Sequence, residues 1–362
     1  METIGADKAG EVTEIKHNYV TYNGKNGISA TIIADSISSW GKRIITYVII
    51  YPRILHGEIM THRQFSRNCE SSRAVPAKKN LENIQNEPFI PVFWGRNQAG
   101  MQANTENDEL VIIDGKEYDK TTAWDMAKES SIKFMTAFSD ANYHKQITNR
   151  LVEPFKMIKT VVTATEYDNF FWLRNHSAAQ PEFQELARCM LEARKLSTPV
   201  ERTFLTESNN INLLPESIKS MIPLEKIKLE LLKLEKHSYH LPYVSDEERS
   251  QHDIEDCIKI AVARCAAVSY RNEDYPLEKC REIYNRLISD DRKHSSAMEH
   301  VAQVMKQESA KSIKDMKDAF FTIFGVTHVD KKLKLWSGNF QGWIQHRKLI
   351  EDECCTKYNY ES

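Results

Sequence analysis

Two early stretches of the chain, Ile28 to Ala34 and Arg43 to Tyr51, are dense in Ile, Val, Thr and Tyr, the composition of buried strands. After Pro52 the run ILHGEIMTHRQF sets Ile54, Ile59 or Met60, and Phe65 near helical spacing, which predicts a short helix ending near Ser66. Between Lys78 and Asp119 the pattern lapses into Pro, Gly, Asn and Gln, predicting a long surface excursion with a hairpin at Asp114-Gly115. Periodicity then returns, with helices predicted over Thr122 to Ala141 and His144 to Leu151, a strand over Lys159 to Thr165, and helices over Asp168 to Arg174 and Gln180 to Leu196. From Ser217, SIKSMIPLEKIKLELLKLEK reads as a solvated amphipathic helix. Beyond it lie helical patterns at Ile254 to Ala267 and Leu277 to Leu287, a strand-like Val301 to Met305, and a tryptophan-containing end. The alternation of the two periods is that of mixed helix and sheet.

Composition narrows the function classes. The 362 residues are 41% apolar and 28% charged, near the globular average and enough for a large core. With 49 basic against 51 acidic residues the whole chain is no polycation, so direct nucleic-acid binding is not expected and any phosphate binding is local. The longest mostly apolar run, Ile44 to Tyr51, is far short of the roughly 20 residues that cross a bilayer, and the start lacks a basic-then-apolar leader. A soluble, cytoplasmic protein is the expectation. Seven cysteines, an odd number without a CxxC pair, read as reduced thiols rather than a disulfide or zinc framework, and no metal site is expected.

Three clusters could carry chemistry. THRQFSRNCESSRAVPAKK, Thr61 to Lys79, mixes arginine forks with serine hydroxyls, a set suited to phosphate and equally to a solvated charged surface. In the stretch from His144 to Glu182, Asn149-Arg150 and Asn169 to Arg174 bracket a strand, and Phe170, Phe171 and Trp172 surround Arg174. Desolvated there, the guanidinium would bind a planar ligand strongly; it would also serve as a simple helix end cap. His294 and His300 in HSSAMEHVAQ fit no metal spacing. No GxGxxG, P-loop or GxSxG motif is present, so any flavin site is unconventional.

The run His62-Arg63, seven residues, Ser71, then Arg73 resembles the RHRx7S signature of flavin-dependent thymidylate synthases. LVEPFKMIKTVVTATEYDNFFWLRNHSAAQPEFQELA resembles their second block, and HKQITNRLVEPF, SAMEH and WSGNFQGWIQHRK are similar to features of the longer subgroup common in bacterial viruses. The resemblance spans most of residues 28 to 350. RCAAVSY (Arg264 to Tyr270) and SSAMEH follow the RHR-like loop here, whereas ordinary members carry them before it, so the chain resembles a circular permutant.

The resemblance implies an α+β fold, a mixed sheet with packed helices, divided into an N-terminal extension (1–27), a flavin and dUMP core (28–200), a helical insertion or linker (201–246) and a permuted segment completing the core with a C-terminal extension (247–362). It implies reductive methylation of dUMP to dTMP, with methylenetetrahydrofolate as carbon donor, FAD carrying the hydride and NADPH reducing it, in a homo-oligomer, typically a tetramer with shared sites. By position, Ser71, Arg73 and Arg150 would hold the dUMP phosphate, and Arg174 would sit at the uracil edge as the catalytic residue. His62, Arg63 and Asn169 would contact FAD, Asn68 either nucleotide, and His300 the meeting point of flavin and folate. Departures from the pattern are Thr61 for the first arginine, Glu58 for glutamine, Cys69 for glutamate, Ala178 for histidine, and Ala297-Met298 for Pro-Phe. They leave open a dUMP hydroxymethylase making 5-hydroxymethyl-dUMP for modified viral DNA, or a non-catalytic nucleotide-binding homologue.

Overall fold

The computed structural model describes residues 12–15, 19–204, 236–270, 274–289, 293–307 and 309–355. The amphipathic stretch beginning at Ser217 lies largely outside them.

The main sheet is built from β1 (Val12–Ile15), β2 (Tyr19–Asn23), β3 (Ser29–Ser38), β4 (Arg43–Pro52), β5 (Ser66–Cys69), β8 (Met157–Ala164) and β9 (Val200–Arg202), with a separate hairpin of β6 (Val111–Ile113) and β7 (Lys116–Tyr118). The strands run in the order β1-β2-β3-β4-β8-β5, antiparallel throughout, and β9 adds to β3 in parallel. β4 and β8 are buried on both faces, which explains their unbroken runs of Ile, Val, Thr and Tyr. Because side chains alternate across a strand, Ile45, Tyr47, Ile49 and Tyr51 of β4 face one way, and Thr46 and Val48 the other.

The first face packs against α5 (Asp168–Arg174) and α6 (Pro181–Leu196), where Phe170, Phe183, Leu186 and Met190 complete a core with Tyr47 and Ile49. On the second face Ile33, Val48 and Val161 join Cys257, Val262 and Cys265 of α8 (Ile254–Ala266) with Met298 and Val301. The segment from Lys236 onward therefore roofs the sheet that the first 200 residues lay down, and it adds two small cores of its own, one around Ile260, Ala263, Cys280 and Ile283 and one around Met305, Val326, Leu335 and Ile344. It contributes α7 (Asp246–Gln251), α9 (Leu277–Ser289), a 3-10 turn at Ser295–His300 and short strands ending in Trp343–Gln345.

The helix predicted between Pro52 and Ser66 is a correction. A 3-10 turn at Arg53–Leu55 leads into α1 (His56–Ile59) alone, and Ser66 starts an edge strand. Four residues cannot sustain a helix without packing, and Phe65 is drawn instead into the aromatic core. Part of the predicted surface excursion is also ordered: α2 (Ala77–Asn86) buries Ile84 against Ile132 and Met135 of α3 (Lys120–Asp140). The hairpin turn falls at Asp114-Gly115, both with positive φ (49° and 77°), the geometry that favours those two residues.

A chain of buried polar groups ties the roof to the sheet. His240 accepts or donates to Ser36 Oγ at 3.0 Å and to Thr46 Oγ1 at 2.8 Å; Thr46 meets Thr163 at 2.7 Å, and Thr163 meets His300 Nδ1 at 2.7 Å. Burial pushes both imidazoles down, His300 to about 3 and His240 well below its usual value. The unfolded chain binds these protons near pH 6.5 and the folded chain does not. Stability is therefore full above pH 6.5 and falls as pH drops below it, by about 1.4 kcal/mol per pH unit for each histidine. Urea midpoints at pH 7.5, 6 and 5 should show this decline, and His300→Gln should lessen its slope; a flat profile in that window would refute the buried neutral pair.

Candidate active site

His62 and Arg63 lie in the turn between α1 and β5. Arg67 fastens this turn by donating from Nη1 to the Ile59 and His62 carbonyls at 3.0 and 3.1 Å. On the other side, Asn339 Nδ2 donates to the Gln64 carbonyl at 2.8 Å, and Gln345 Nε2 reaches Ser66 Oγ at 3.3 Å. The WSGNFQGWIQ stretch thus holds the loop in place.

The His62 ring is enclosed by Phe65, Phe170 and Phe183, with centroids 5.0 to 5.8 Å away. α5 begins three residues after β8 and delivers Arg174 to the same spot. Arg174 Nε donates to His62 Nε2 at 3.1 Å, so the imidazole carries its proton on Nδ1. Burial first, then Arg174 and Arg67, lower the His62 pKa to about 4, so the ring is neutral at pH 7. The Arg174 guanidinium stacks 4.4 Å above the Phe183 ring, and Nη1 lies 3.6 Å from the Glu58 carboxylate. Thr61, His62, Arg63, Asn169, Leu173 and Arg174 help line a cleft of about 430 Å³. Arg63 and Asn169 are exposed at its mouth.

Ser71, Arg73 and Arg150 form a second group beyond β5. Asn149 Nδ2 donates to the Ser72 and Val75 carbonyls at 2.7 and 3.0 Å, and Lys145 Nζ to the Ala74 carbonyl at 2.9 Å. The Ser71 amide donates to Ser269 Oγ at 2.9 Å, which brings the RCAAVSY stretch against the loop. Arg150 Nη1 (2.8 Å) and Ser72 Oγ (2.5 Å) converge on one Glu153 oxygen, with Arg53 Nε 3.7 Å away. Arg73, next in the chain to Ser72, is exposed, and its amide donates to Ser71 Oγ at 3.3 Å. None of Ser71, Arg73 and Arg150 lines the His62 cleft.

Two residues of the expected set, Asn68 and His300, turn inward. Asn68 Nδ2 donates to the Cys265 carbonyl at 3.4 Å, and its Oδ1 is buried without a partner. His300 is fully buried, its Nδ1 on Thr163 and its Nε2 unpartnered, so it braces the sheet and does not line the cleft. Ala297 and Met298 are buried in the same layer and line no part of the His62 cleft. Arg67, a member of the Thr61 to Lys79 cluster, supports the first group, as do Phe183, Asn339 and Gln345, and Arg53 supports the second; the sequence pattern does not single out Arg53 or Phe183, and the WSGNFQGWIQ motif is the signal for Asn339 and Gln345.

Cys69 Sγ lies 3.7 Å from His56 Nε2, and His56 Nδ1 is 2.8 Å from Tyr51 Oη. This arrangement has the outline of an activated thiol, but burial raises the Cys69 pKa and lowers that of His56 to about 4, so both stay neutral. Thiol alkylation at pH 7.5 should therefore be much slower at Cys69 than at the exposed Cys354 and Cys355, as read by peptide mass; equally fast labelling of Cys69 would reverse the assignment.

Among the described residues no helix is long and apolar enough to cross a membrane, and no group of three His, Cys, Asp or Glu side chains is arranged to hold a metal ion. No family model matches the chain, and no curated protein matches it. Among solved structures, the chain is similar to the UMP/dUMP methylase PolB from Streptomyces cacaoi bound with 5-Br dUMP, at 17% identity and a TM-score of 0.31, over 42% of this chain and 67% of that one. It is also similar to the flavin-dependent thymidylate synthase ThyX from Helicobacter pylori complexed with FAD and dUMP, at 19% identity and a TM-score of 0.28, over the same shares.

Proposed function

We propose that the chain is a flavin-dependent enzyme that reductively methylates dUMP to dTMP, with methylenetetrahydrofolate and NADPH as co-substrates. The observation that carries this reading is Arg174 joined to a neutral His62 in an aromatic-walled cleft, both at positions where the sequence motifs require them. Two guanidinium groups, an amide and aromatic walls form a donor set suited to a planar, carbonyl-rich ring, so the residues present fit a flavin or a uracil. When bound, the flavin would supply the hydride.

Arg174 is fixed in orientation before substrate arrives, by Phe183 beneath it and His62 at Nε. Its Nη1 faces the Glu58 carboxylate, and the remaining terminal N–H groups are available to a uracil carbonyl as negative charge grows there in the transition state. His62 keeps Nδ1–H as a donor across the whole physiological range. The Ser71–Arg73 loop with Arg150 would hold the phosphate, which replaces Glu153 as the anionic partner of Arg150. Since this group and the cleft are separate within one chain, a complete site calls for a second copy to bring its loop to the cleft.

The test is calorimetric titration of the purified chain with dUMP, alongside flavin absorbance. Arg73→Ala and Arg150→Ala should each weaken dUMP binding by about 1.5 to 3 kcal/mol, the scale of a charge-assisted hydrogen bond, while leaving flavin uptake intact. A chain that takes up neither FAD nor dUMP would overturn the proposal.

A further inference from the structure

A second cavity, of about 210 Å³, lies between the ends of β3 and β9 and the start of α7, and shares no residue with the His62 cleft. Arg202 and Arg249 line it together with Asp35, Thr198, Ser245 and Asp246. Arg202, the last residue of β9, is only 7% exposed, and its Nε has no hydrogen-bond partner. Among the described residues no carboxylate pairs with it. Asp35 is already taken by the Arg43 guanidinium, at 2.8 and 2.5 Å, and by Ser197 Oγ at 2.6 Å. Asp246 is exposed at the rim.

The exposed Asp246 carboxylate acts on Arg202 only through space; a buried guanidinium with no paired carboxylate is costly, and a second arginine nearby adds repulsion. That repulsion and above all burial lower the Arg202 pKa to about 9, and burial lowers that of Arg249 as well. What the arrangement suits is a small dianion entering from solvent, held by the Arg202 fork, with the Thr198 hydroxyl adding a donor and Arg249, whose terminal nitrogens reach the Tyr239 and Leu241 carbonyls at 3.5 Å, adding positive charge. The volume is below the usual range for whole cofactors and excludes a dinucleotide.

We propose that this cavity is an anion site, separate from the proposed active site, that takes the phosphate group of a small phosphorylated metabolite or free phosphate. The assignment does not depend on the flavin reading.

The full-length chain would be titrated with inorganic phosphate and with ribose 5-phosphate, following thermal unfolding and heat of binding. The wild type and Arg73→Ala should both show saturable stabilisation. Arg202→Met should lose at least about tenfold in phosphate affinity, yet be no less stable than wild type without phosphate, because an unpaired buried charge has been removed. Tighter binding of the sugar phosphate would identify a monoester as the ligand; equal binding would identify the free ion. Absence of saturable binding by the wild type, or an effect lost in Arg73→Ala and kept in Arg202→Met, would overturn the site. Should Arg202→Met fail to fold, Arg249→Met read in the same way decides: unchanged affinity there also overturns it.

Discussion

Arg174→Ala should lower dUMP turnover by about 100-fold or more while the chain still folds and takes up flavin. The size follows from the removal of one oriented donor to developing charge, for which about 2.7 to 4 kcal/mol is the usual loss in kcat. Arg174 is suited to that role because its position is already fixed: Phe183 lies 4.4 Å below the guanidinium and His62 accepts from Nε, so little reorganisation remains for the reaction. The substitution sits at the last residue of α5, where no intrahelical hydrogen bond depends on the side chain, so the fold should survive it. Arg174→Lys separates charge from geometry. A lysine keeps the positive charge but has no planar fork to reach both His62 and a carbonyl, so it should recover only a small part of the activity. His62 provides an independent readout, since burial is the first cause of its low pKa and Arg174 only the second. In Arg174→Ala the His62 pKa should rise but stay below the usual 6.5, measurable by NMR titration. Turnover equal to wild type would remove Arg174 from the chemistry.

The legible parts of this fold are those whose pattern is set by two-sided burial. β4 and β8 stood out because both faces are covered, and α5 and α6 because their apolar faces meet β4. The turn from His56 to Phe65 was misread as helix because its apolar residues do fall at helical spacing. They are spaced to fill separate pockets, Ile59 and Phe65 in the core and His62 between three phenylalanines. In the site, the motif residues His62, Arg63, Asn169 and Arg174 converge on one cleft, whereas Ser71, Arg73 and Arg150 are grouped elsewhere. Short spacing in a motif does not bring its residues to one place, because the edge strand β5 carries the chain away from the cleft between Arg63 and Ser71. Asn68 and His300 show what the sequence pattern does not record: their side chains meet a backbone carbonyl and a buried hydroxyl inside the fold. The Arg202 cavity was invisible because its members come from β9 and the segment around α7, each unremarkable alone.

A chain ending at Glu247 should fail to form the sheet, although every main-sheet strand is still present in it. Cutting there removes α8, the turn at Ser295–His300 and the strands up to Gln345, and uncovers Ile33, Val48 and Val161 on the second face. Burial of each such side chain contributes about 1.5 to 3 kcal/mol, so three of them alone account for roughly 5 to 9 kcal/mol, against a whole-domain stability of about 5 to 15. His300, the partner of Thr163, goes as well, leaving the buried hydroxyl chain to be completed by water. The loss extends to the cleft, because Asn339 and Gln345 anchor Gln64 and Ser66, and Ser269 anchors Ser71. Flavin uptake and dUMP binding should therefore both vanish, with the protein aggregated or unfolding without a cooperative transition. Were residues from 248 onward an appended regulatory unit, the shortened chain would elute as a folded species and retain flavin fluorescence. Asn339→Ala gives the graded version of the same argument: the roof stays, one anchor of the loop is lost, and the expected result is weaker flavin uptake at nearly unchanged thermal stability. That split between uptake and stability is what a roof that also positions the loop requires, and a roof that only covers the sheet would not produce it.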